Sequence, residues 1–180
     1  MLIILDRDGV INEDSDDYIK TPAEWIPIPG SLKAIAALNH AGYTVVVATN
    51  QSGIARGLYT EAGLAEIHAT MQRQLAAVGG HIDAIFYCRH HPDEHCACRK
   101  PKPGLLLQIA AEFKIDIEKA LMVGDAARDI ECAQAVGCPA VLVKTGKGMR
   151  TLEAKNVPDV PVFEDLAAVV AMLGCTPTLI

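Results

Sequence analysis

Four short apolar runs constrain this chain most, because each ends at a polar residue. Residues 2–5 run into Asp6, 44–48 into Thr49, 84–87 into Cys88, and 121–123 into Gly124 and Asp125. The runs are aliphatic or β-branched and nearly continuous, as expected of parallel strands covered on both faces. A fifth run at 140–143 and a weaker one at 160–163 continue the series. Helical periodicity separates them. Leu32, Ile35, Ala36 and Leu38 face inward over 31–39, which Gly42 stops. Thr60 is placed to cap a helix carrying Leu64, Ile67, Met71, Leu75 and Val78, closed by Gly79 and Gly80. Further helices are expected over 104–113, 129–136 and 166–173. Regular alternation of this kind predicts an α/β fold, a doubly wound parallel sheet. Five strand–helix units of roughly 30 residues each leave no room for a separate cap domain, so residues 1–180 are expected to form one domain. In such sheets the ligand crevice lies outside the carboxyl ends of the strands, so Asp6, Thr49, Cys88 and Asp125 should converge.

Composition narrows the classes. A hydrophobic fraction of 51% excludes a disordered chain. A net charge of -6 argues against a general binder of nucleic acid or membrane surfaces, either of which needs a basic face. The longest apolar run, 166–173, is far short of the ~20 residues that span a bilayer. Asp6, Arg7 and Asp8 follow only five residues, which leaves no hydrophobic region for a signal peptide, so the expected compartment is the cytoplasm. In that reducing setting the clustered Cys88, Cys96 and Cys98 read as metal ligands, and the scattered Cys132, Cys138 and Cys175 as small buried residues.

The chemistry concentrates at the strand ends. Asp6-Arg7-Asp8-Gly9 leaves the first strand with two carboxylates at a spacing of two, which share a face in extended chain. Gly124-Asp125-Ala126-Ala127-Arg128-Asp129 adds more. Carboxylates converging on one crevice repel unless a cation neutralises them, and an all-oxygen donor set points to Mg²⁺. Thr49-Asn50-Gln51-Ser52-Gly53 brings a hydroxyl and backbone N–H groups suited to phosphate oxygens. Arg99-Lys100-Pro101-Lys102-Pro103-Gly104 brings the basic cluster.

Taken together and in this order, Asp6 to Val10, Thr49, Lys100, and Gly124-Asp125 with Asp129 resemble the haloacid dehalogenase superfamily of phosphatases. The resemblance implies that Asp6 is the nucleophile forming an aspartyl-phosphate and that Asp8 is the general acid and base. It implies that Thr49 and Lys100 hold the phosphoryl oxygens, with Lys102 at the rim. Mg²⁺ would be held by the Asp6 side chain, the Asp8 carbonyl and the Asp125 side chain. For Asp129 three roles stay open: metal ligand, orienting partner of Lys100, or an acidic residue favoured at a helix start.

Cys88-x-His90 and Cys96-x-Cys98 form two compact pairs, a closed three-thiolate and one-imidazole set that is the signature of structural Zn²⁺. His91 and His95 are alternatives to His90. The clip directly precedes Arg99 and Lys100, so it is expected to shape the phosphate-binding loop. Its position narrows the resemblance to a small-molecule branch containing heptose bisphosphate phosphatases and histidinol-phosphate phosphatases. Asp17-Tyr18, residues 25–30 and residues 49–57 look like the heptose enzymes, whereas the short Cys88-to-Cys96 spacing is typical of the histidinol-phosphate group.

With no cap, loops must select the substrate. Asp14, Asp16, Asp17 and Tyr18 are candidates for sugar hydroxyls, or form a solvated acidic turn. Asn50, Gln51 and Ser52 are further candidates, and Arg99 suits a second phosphate or a sugar oxygen. Lys144, Lys147 and Arg150, around Gly146 and Gly148, form either a phosphate-facing loop or, as the favoured reading, plain surface. The leading expectation is an Mg²⁺-dependent phosphatase acting on a small sugar phosphate, monomeric, with no nucleic-acid or membrane partner. The resemblance points to removal of the C7 phosphate from a heptose 1,7-bisphosphate on the way to lipopolysaccharide, or else to histidinol phosphate as substrate. A non-catalytic phosphoryl-binding or zinc scaffold would have no use for Asp6, Asp8, Lys100 and Asp125 together.

Overall fold

The computed structural model describes residues 1–154 and 159–175. Six strands, β1 (Leu2–Leu5), β2 (Thr44–Asn50), β3 (Ala84–Cys88), β4 (Leu121–Gly124), β5 (Ala140–Val143) and β6 (Val162–Phe163), form one sheet. Every pairing is parallel, in the order β3-β2-β1-β4-β5-β6. The helices are α1 (Ser31–His40), α2 (Glu61–Ala76), α3 (Gly104–Phe113), α4 (Ala127–Gln134), α5 (Gly148–Glu153) and α6 (Leu166–Met172).

Alternate residues of each strand feed opposite layers, as a period of two requires. Ile3, Leu5, Val45, Val47 and Val123 pack with Ile35 and Leu38 of α1, Ile67, Met71 and Leu75 of α2, and Val169 and Val170 of α6. Leu2, Ile4, Val46, Ala48 and Met122 pack with Leu105, Leu106 and Ile109 of α3 and with Cys132 and Ala133 of α4. Covering both faces buries all of β1, which explains its unbroken apolar run. Each fully buried Ile, Leu or Met contributes roughly 1.5–3 kcal/mol, so the two layers outweigh the weak local preference of such short strands.

Several boundaries differ from expectation. β2 runs two residues past Ala48, because Thr49 and Asn50 pair with Tyr87 and Cys88 of β3. α4 begins at Ala127, and its first turn is closed by the Asp129 side chain. α5 was not expected: its six residues are too few to display a helical period. Thr60 does cap α2, accepting the Gly63 N–H at 3.1 Å. The chain turns outward in opposite directions from β1, to β2 on one side and β4 on the other, so a crevice opens at the carboxyl end of β1. Among the described residues no separate cap stands over it; the loop after β1, residues 50–52, and Arg99 just beyond the Cys/His loop line its mouth.

Candidate active site

β1 delivers Asp6 to the floor of the crevice, where it is buried. The chain bends at Arg7, whose carbonyl accepts from the N–H groups of Val10, Ile11 and Asn12. Asp6 and Asp8 therefore leave the strand through a turn, not through the extended alternation expected from their spacing. Gly9 completes it at a φ of +86°, and a Cβ there would lie 2.0 Å from Asp125 Oδ2. Gly146, at +57°, adjoins Gly9, and a Cβ there would lie 2.3 Å from the same oxygen. The two glycines let backbone wrap Asp125 where any side chain would displace it.

Lys100 is the largest buried cation beside Arg7. Its Nζ donates to the Ala48 carbonyl at 2.7 Å and forms ion pairs with Asp6 at 3.0 Å and Asp129 at 2.7 Å. Asn50 clamps the Lys100 peptide unit from β2, accepting its N–H at 3.1 Å and donating to its carbonyl at 3.0 Å. The Lys100–Pro101 bond is cis. Lys102 points away, to the His95 carbonyl.

Asp6, Asp125 and Asp129 bring carboxylate oxygens within 4.8 Å of one another. Burial pushes Asp6 up to about 6, with Lys100 opposing and Asp129 adding to the shift. Burial raises Asp125 well above the carboxylate range, and Asp129 and Asp6 raise it further. Burial also acts on Asp129, but Lys100 and Arg128 outweigh it and hold that carboxyl low. Both Asp129 oxygens are engaged, one by Lys100 and the other by the N–H groups of Asp125 (3.2 Å) and Ala126 (3.0 Å). Of its three possible roles, this geometry fits the orienting one. Asp125 differs: Oδ2 accepts the Lys147 N–H at 2.7 Å, while Oδ1 is buried with no partner among the described residues. An orphaned carboxylate oxygen beside Asp6 fits a divalent cation such as Mg²⁺.

Asp8 is held at the cleft wall by Arg7 (2.8 and 3.0 Å), Asn12 (2.9 Å) and Gln51 (3.0 Å). Burial would push its carboxyl up, but Arg7 and these hydrogen bonds hold it below the usual carboxylate range. Gln51 also donates to the Thr49 hydroxyl at 3.0 Å and accepts from Tyr59 at 2.6 Å, so its amide ties Asp8 to Thr49.

The cleft above is lined by Asp8, Asp14, Asp16, Tyr18, Asn50, Gln51, Ser52, Arg99, Arg128 and Lys147, among others. Asp17 is exposed and does not line it. Lys147, expected as surface, lies on the cleft wall and pairs with Asp14 at 2.9 Å. Lys144 pairs with Glu164 and Arg150 with Asp16, both at the exterior. Sequence reasoning missed Arg7, Tyr59, Lys147 and Arg128.

Cys88 does not join the crevice. Its carbonyl accepts the Gln51 N–H at 2.7 Å, while its sulfur turns to the Cys/His loop. There Cys88–Cys96 and Cys96–Cys98 are 3.5 Å apart, and His90 Nδ1 is 3.6 Å from Cys88 and 3.3 Å from Cys98. A tetrahedral zinc with bonds near 2.3 Å has ligand–ligand edges of about 3.7 Å, so these four residues could hold zinc. His91 instead caps the turn Pro92–Glu94, and His95 adopts a left-handed backbone beyond it. Arg89 pairs with Glu61 of α2, tying the loop to the body.

A family model described as HAD-hydrolase-like matches residues 97–169. The D-glycero-beta-D-manno-heptose-1,7-bisphosphate 7-phosphatase of Pseudomonas aeruginosa is 57% identical over 96% of this chain and 97% of its own. The enzyme of the same name from Vibrio cholerae is 39% identical over 88% and 93%. The crystal structure of D,D-heptose 1,7-bisphosphate phosphatase from B. bronchiseptica, complexed with magnesium and phosphate, superposes with a TM-score of 0.94 at 54% identity. That match covers 96% of this chain and 97% of the other. Similarity of this extent, over a fold and site of this kind, shows a phosphoric monoester hydrolase: the chain belongs to the HAD-like family of the D-glycero-beta-D-manno-heptose-1,7-bisphosphate 7-phosphatases.

Proposed function

We propose that this chain removes the C7 phosphate of D-glycero-D-manno-heptose 1,7-bisphosphate, leaving heptose 1-phosphate for lipopolysaccharide core synthesis. The observation that carries the reading is the near full-length similarity to enzymes of that name, 57% identity in one case, on a chain whose crevice gathers Asp6, Lys100, Asp125 and Asp129. The short Cys88-to-Cys96 loop does not redirect the reading to histidinol phosphate, because relatives named for the heptose bisphosphate match 96% of the chain at 57% and 54% identity.

Asp6 attacks phosphorus in line, forming an aspartyl-phosphate as the sugar oxygen departs. Asp8 carries the proton transfers: it must take up a proton against the pull of Arg7 before giving one to that oxygen, and it then takes one from the water that hydrolyses the intermediate. Lys100, oriented by Asp129, and the Thr49 hydroxyl hold the equatorial phosphoryl oxygens. Mg²⁺ held by Asp6, the Asp8 carbonyl and Asp125 neutralises charge on those oxygens. Cys88, His90, Cys96 and Cys98 would hold Zn²⁺, which would fix the loop that presents Arg99 and Lys100. Asp14, Tyr18, Asn50, Gln51, Ser52 and Arg99 surround the sugar, with Asp17 at the outer edge of the same loop.

A primary C7 phosphate sits on a flexible arm and enters a narrow crevice, whereas a C1 phosphate would drag the ring in with it. Phosphorus NMR should show the C7 signal disappearing while the anomeric signal persists. Loss of the anomeric phosphate first, or faster hydrolysis of histidinol phosphate, refutes the reading. Residues 1–180 are read as one domain acting as a cytoplasmic monomer on a small molecule, without nucleic-acid or membrane partners. No helix among the described residues is long and apolar enough to cross a membrane. Light scattering at working concentration tests the monomer.

A further inference from the structure

Gln51 is buried in the cleft wall, and all four hydrogen bonds open to its side-chain amide are made within the protein. Oε1 accepts the Tyr59 hydroxyl at 2.6 Å and Arg7 Nη2 at 3.3 Å. Nε2 gives one proton to Asp8 Oδ2 and the other to Thr49 Oγ1, both at 3.0 Å. The sense of the amide matters, because its two ends carry opposite hydrogen-bonding chemistry. With the nitrogen toward Thr49, that hydroxyl accepts from Gln51 and keeps its own proton to give elsewhere. Among the described residues no acceptor takes this proton, although Thr49 is buried near the end of β2. Turned the other way, the amide oxygen would draw the Thr49 proton to itself and away from the crevice.

Tyr59 is built to hold that sense. Burial pushes its phenol up to about 12, so near neutral pH the hydroxyl keeps its proton and donates it to Oε1. Its ring lies against the backbone of Gly53, where a Cβ would stand 2.2 Å from ring carbon Cε1, and the next residue, Thr60, caps α2. Arg7 offers the same oxygen a donor at a longer distance, and Asp8 exchanges its proton during turnover. Tyr59 is therefore the short, constant donor. We propose that Tyr59 is a positioning residue for phosphoryl transfer, fixing the Gln51 amide so that the Thr49 proton is directed at the transferring phosphoryl group. This rests on the role given to Thr49 above and adds the residue that sets its polarity. A donor aimed before charge develops needs no reorientation in the transition state.

The test measures initial rates on a generic aryl phosphate with Mg²⁺, so it does not depend on which sugar is the substrate. Tyr59→Phe keeps the ring on Gly53 and removes only the hydroxyl. It should lower kcat about 10-fold and leave KM within about twofold. Thr49→Val, which removes the donor itself, should cost about 100-fold. In the Thr49→Val background Tyr59→Phe should cost less than about twofold more, whereas in Thr49→Ser, which keeps a hydroxyl, its effect of about 10-fold should return. Gly53→Ala, whose Cβ would drive the Tyr59 ring away, carries the same expectation by another route. Melting curves on the same samples confirm folding. No loss in Tyr59→Phe, a loss confined to KM, or losses that multiply in the double variant overturn the inference. Wild-type rates in Thr49→Val would instead remove the Thr49 role itself, and the inference with it.

Discussion

Replacing Gly9 with alanine tests whether Asp125 is held as a cation ligand. The new Cβ would lie 2.0 Å from Asp125 Oδ2, whereas ordinary contact begins near 3.4 Å, so the carboxylate must retreat by more than about 1 Å. It cannot go freely, because Oδ2 is bound to the Lys147 N–H at 2.7 Å. The backbone cost comes on top: a φ of +86° with a Cβ costs roughly 1–2 kcal/mol. At about 2–4 °C per kcal/mol for a domain of this size, melting should fall by about 2–8 °C, leaving the protein folded at room temperature. A displacement of 1 Å in a catalytic constellation is worth about 100-fold in rate. Gly9→Ala should thus lose at least that much turnover on a generic phosphate ester and need severalfold more Mg²⁺ for half-activation. The assays are a Mg²⁺ titration of initial rates and a melting curve on the same sample. A folded Gly9→Ala protein with turnover within about threefold of wild type and unchanged Mg²⁺ demand would refute the argument.

Other outcomes follow from the same geometry. Asp6→Asn should stay folded and lose turnover by several orders of magnitude, since an amide cannot form the acyl phosphate; near-normal turnover in a pure sample removes the nucleophile assignment. Purified protein should hold one Zn²⁺ per chain by elemental analysis, lost in Cys96→Ser or Cys98→Ser, with activity falling because Lys100 lies two residues beyond the clip. Full activity after complete zinc loss would uncouple the two. Burial places the Asp6 carboxyl at about 6, above its unfolded value of 3.8, so without Mg²⁺ this group's contribution to stability is lost as pH rises through about 6. Mg²⁺ competes with that proton, so the rise in melting temperature on adding Mg²⁺ should be small at pH 5 and larger at pH 7. A shift independent of pH from 5 to 8 contradicts this.

What could be read from sequence follows from the range of the signals. Strands β1, β2, β4 and β5 announce themselves because burial on both faces makes each a nearly continuous apolar run, while the edge strand β3 keeps an apolar run though only partly buried. The zinc ligands are legible because a chelate built from one loop leaves its spacing in the sequence. Asp6 and Asp125 were findable because each follows the last apolar residue of a strand. The remaining contacts join residues distant in the chain. Asn50 grips Lys100 fifty positions away, and Lys147 supports Asp125 from a short helix with no visible period. Arg7 sits beside the carboxylates it could have been suspected of serving, but alternation assigned it to the opposite face. Only the bend at Arg7 returns its guanidinium to Asp8. Arg128 gave no signal, because a lone arginine in a helix start ordinarily faces water.

The Cys/His tetrahedron also makes one stretch of the chain free to change. Residues 91–95 leave from His90 and return at Cys96, so both of their ends are fastened to the same point. Chain inserted there would lengthen a closed loop without moving Arg99 or Lys100, which follow the last ligand. Loop closure is tolerant of such growth, since each doubling in length costs only about 0.6 kcal/mol. The clip thereby separates two demands that usually compete in one loop, constancy where Arg99 and Lys100 stand and freedom to vary in the stretch before the last two ligands. Residues 91–95 line none of the cleft described above, so growth there would alter the outer face of the loop and leave the phosphate site as it is.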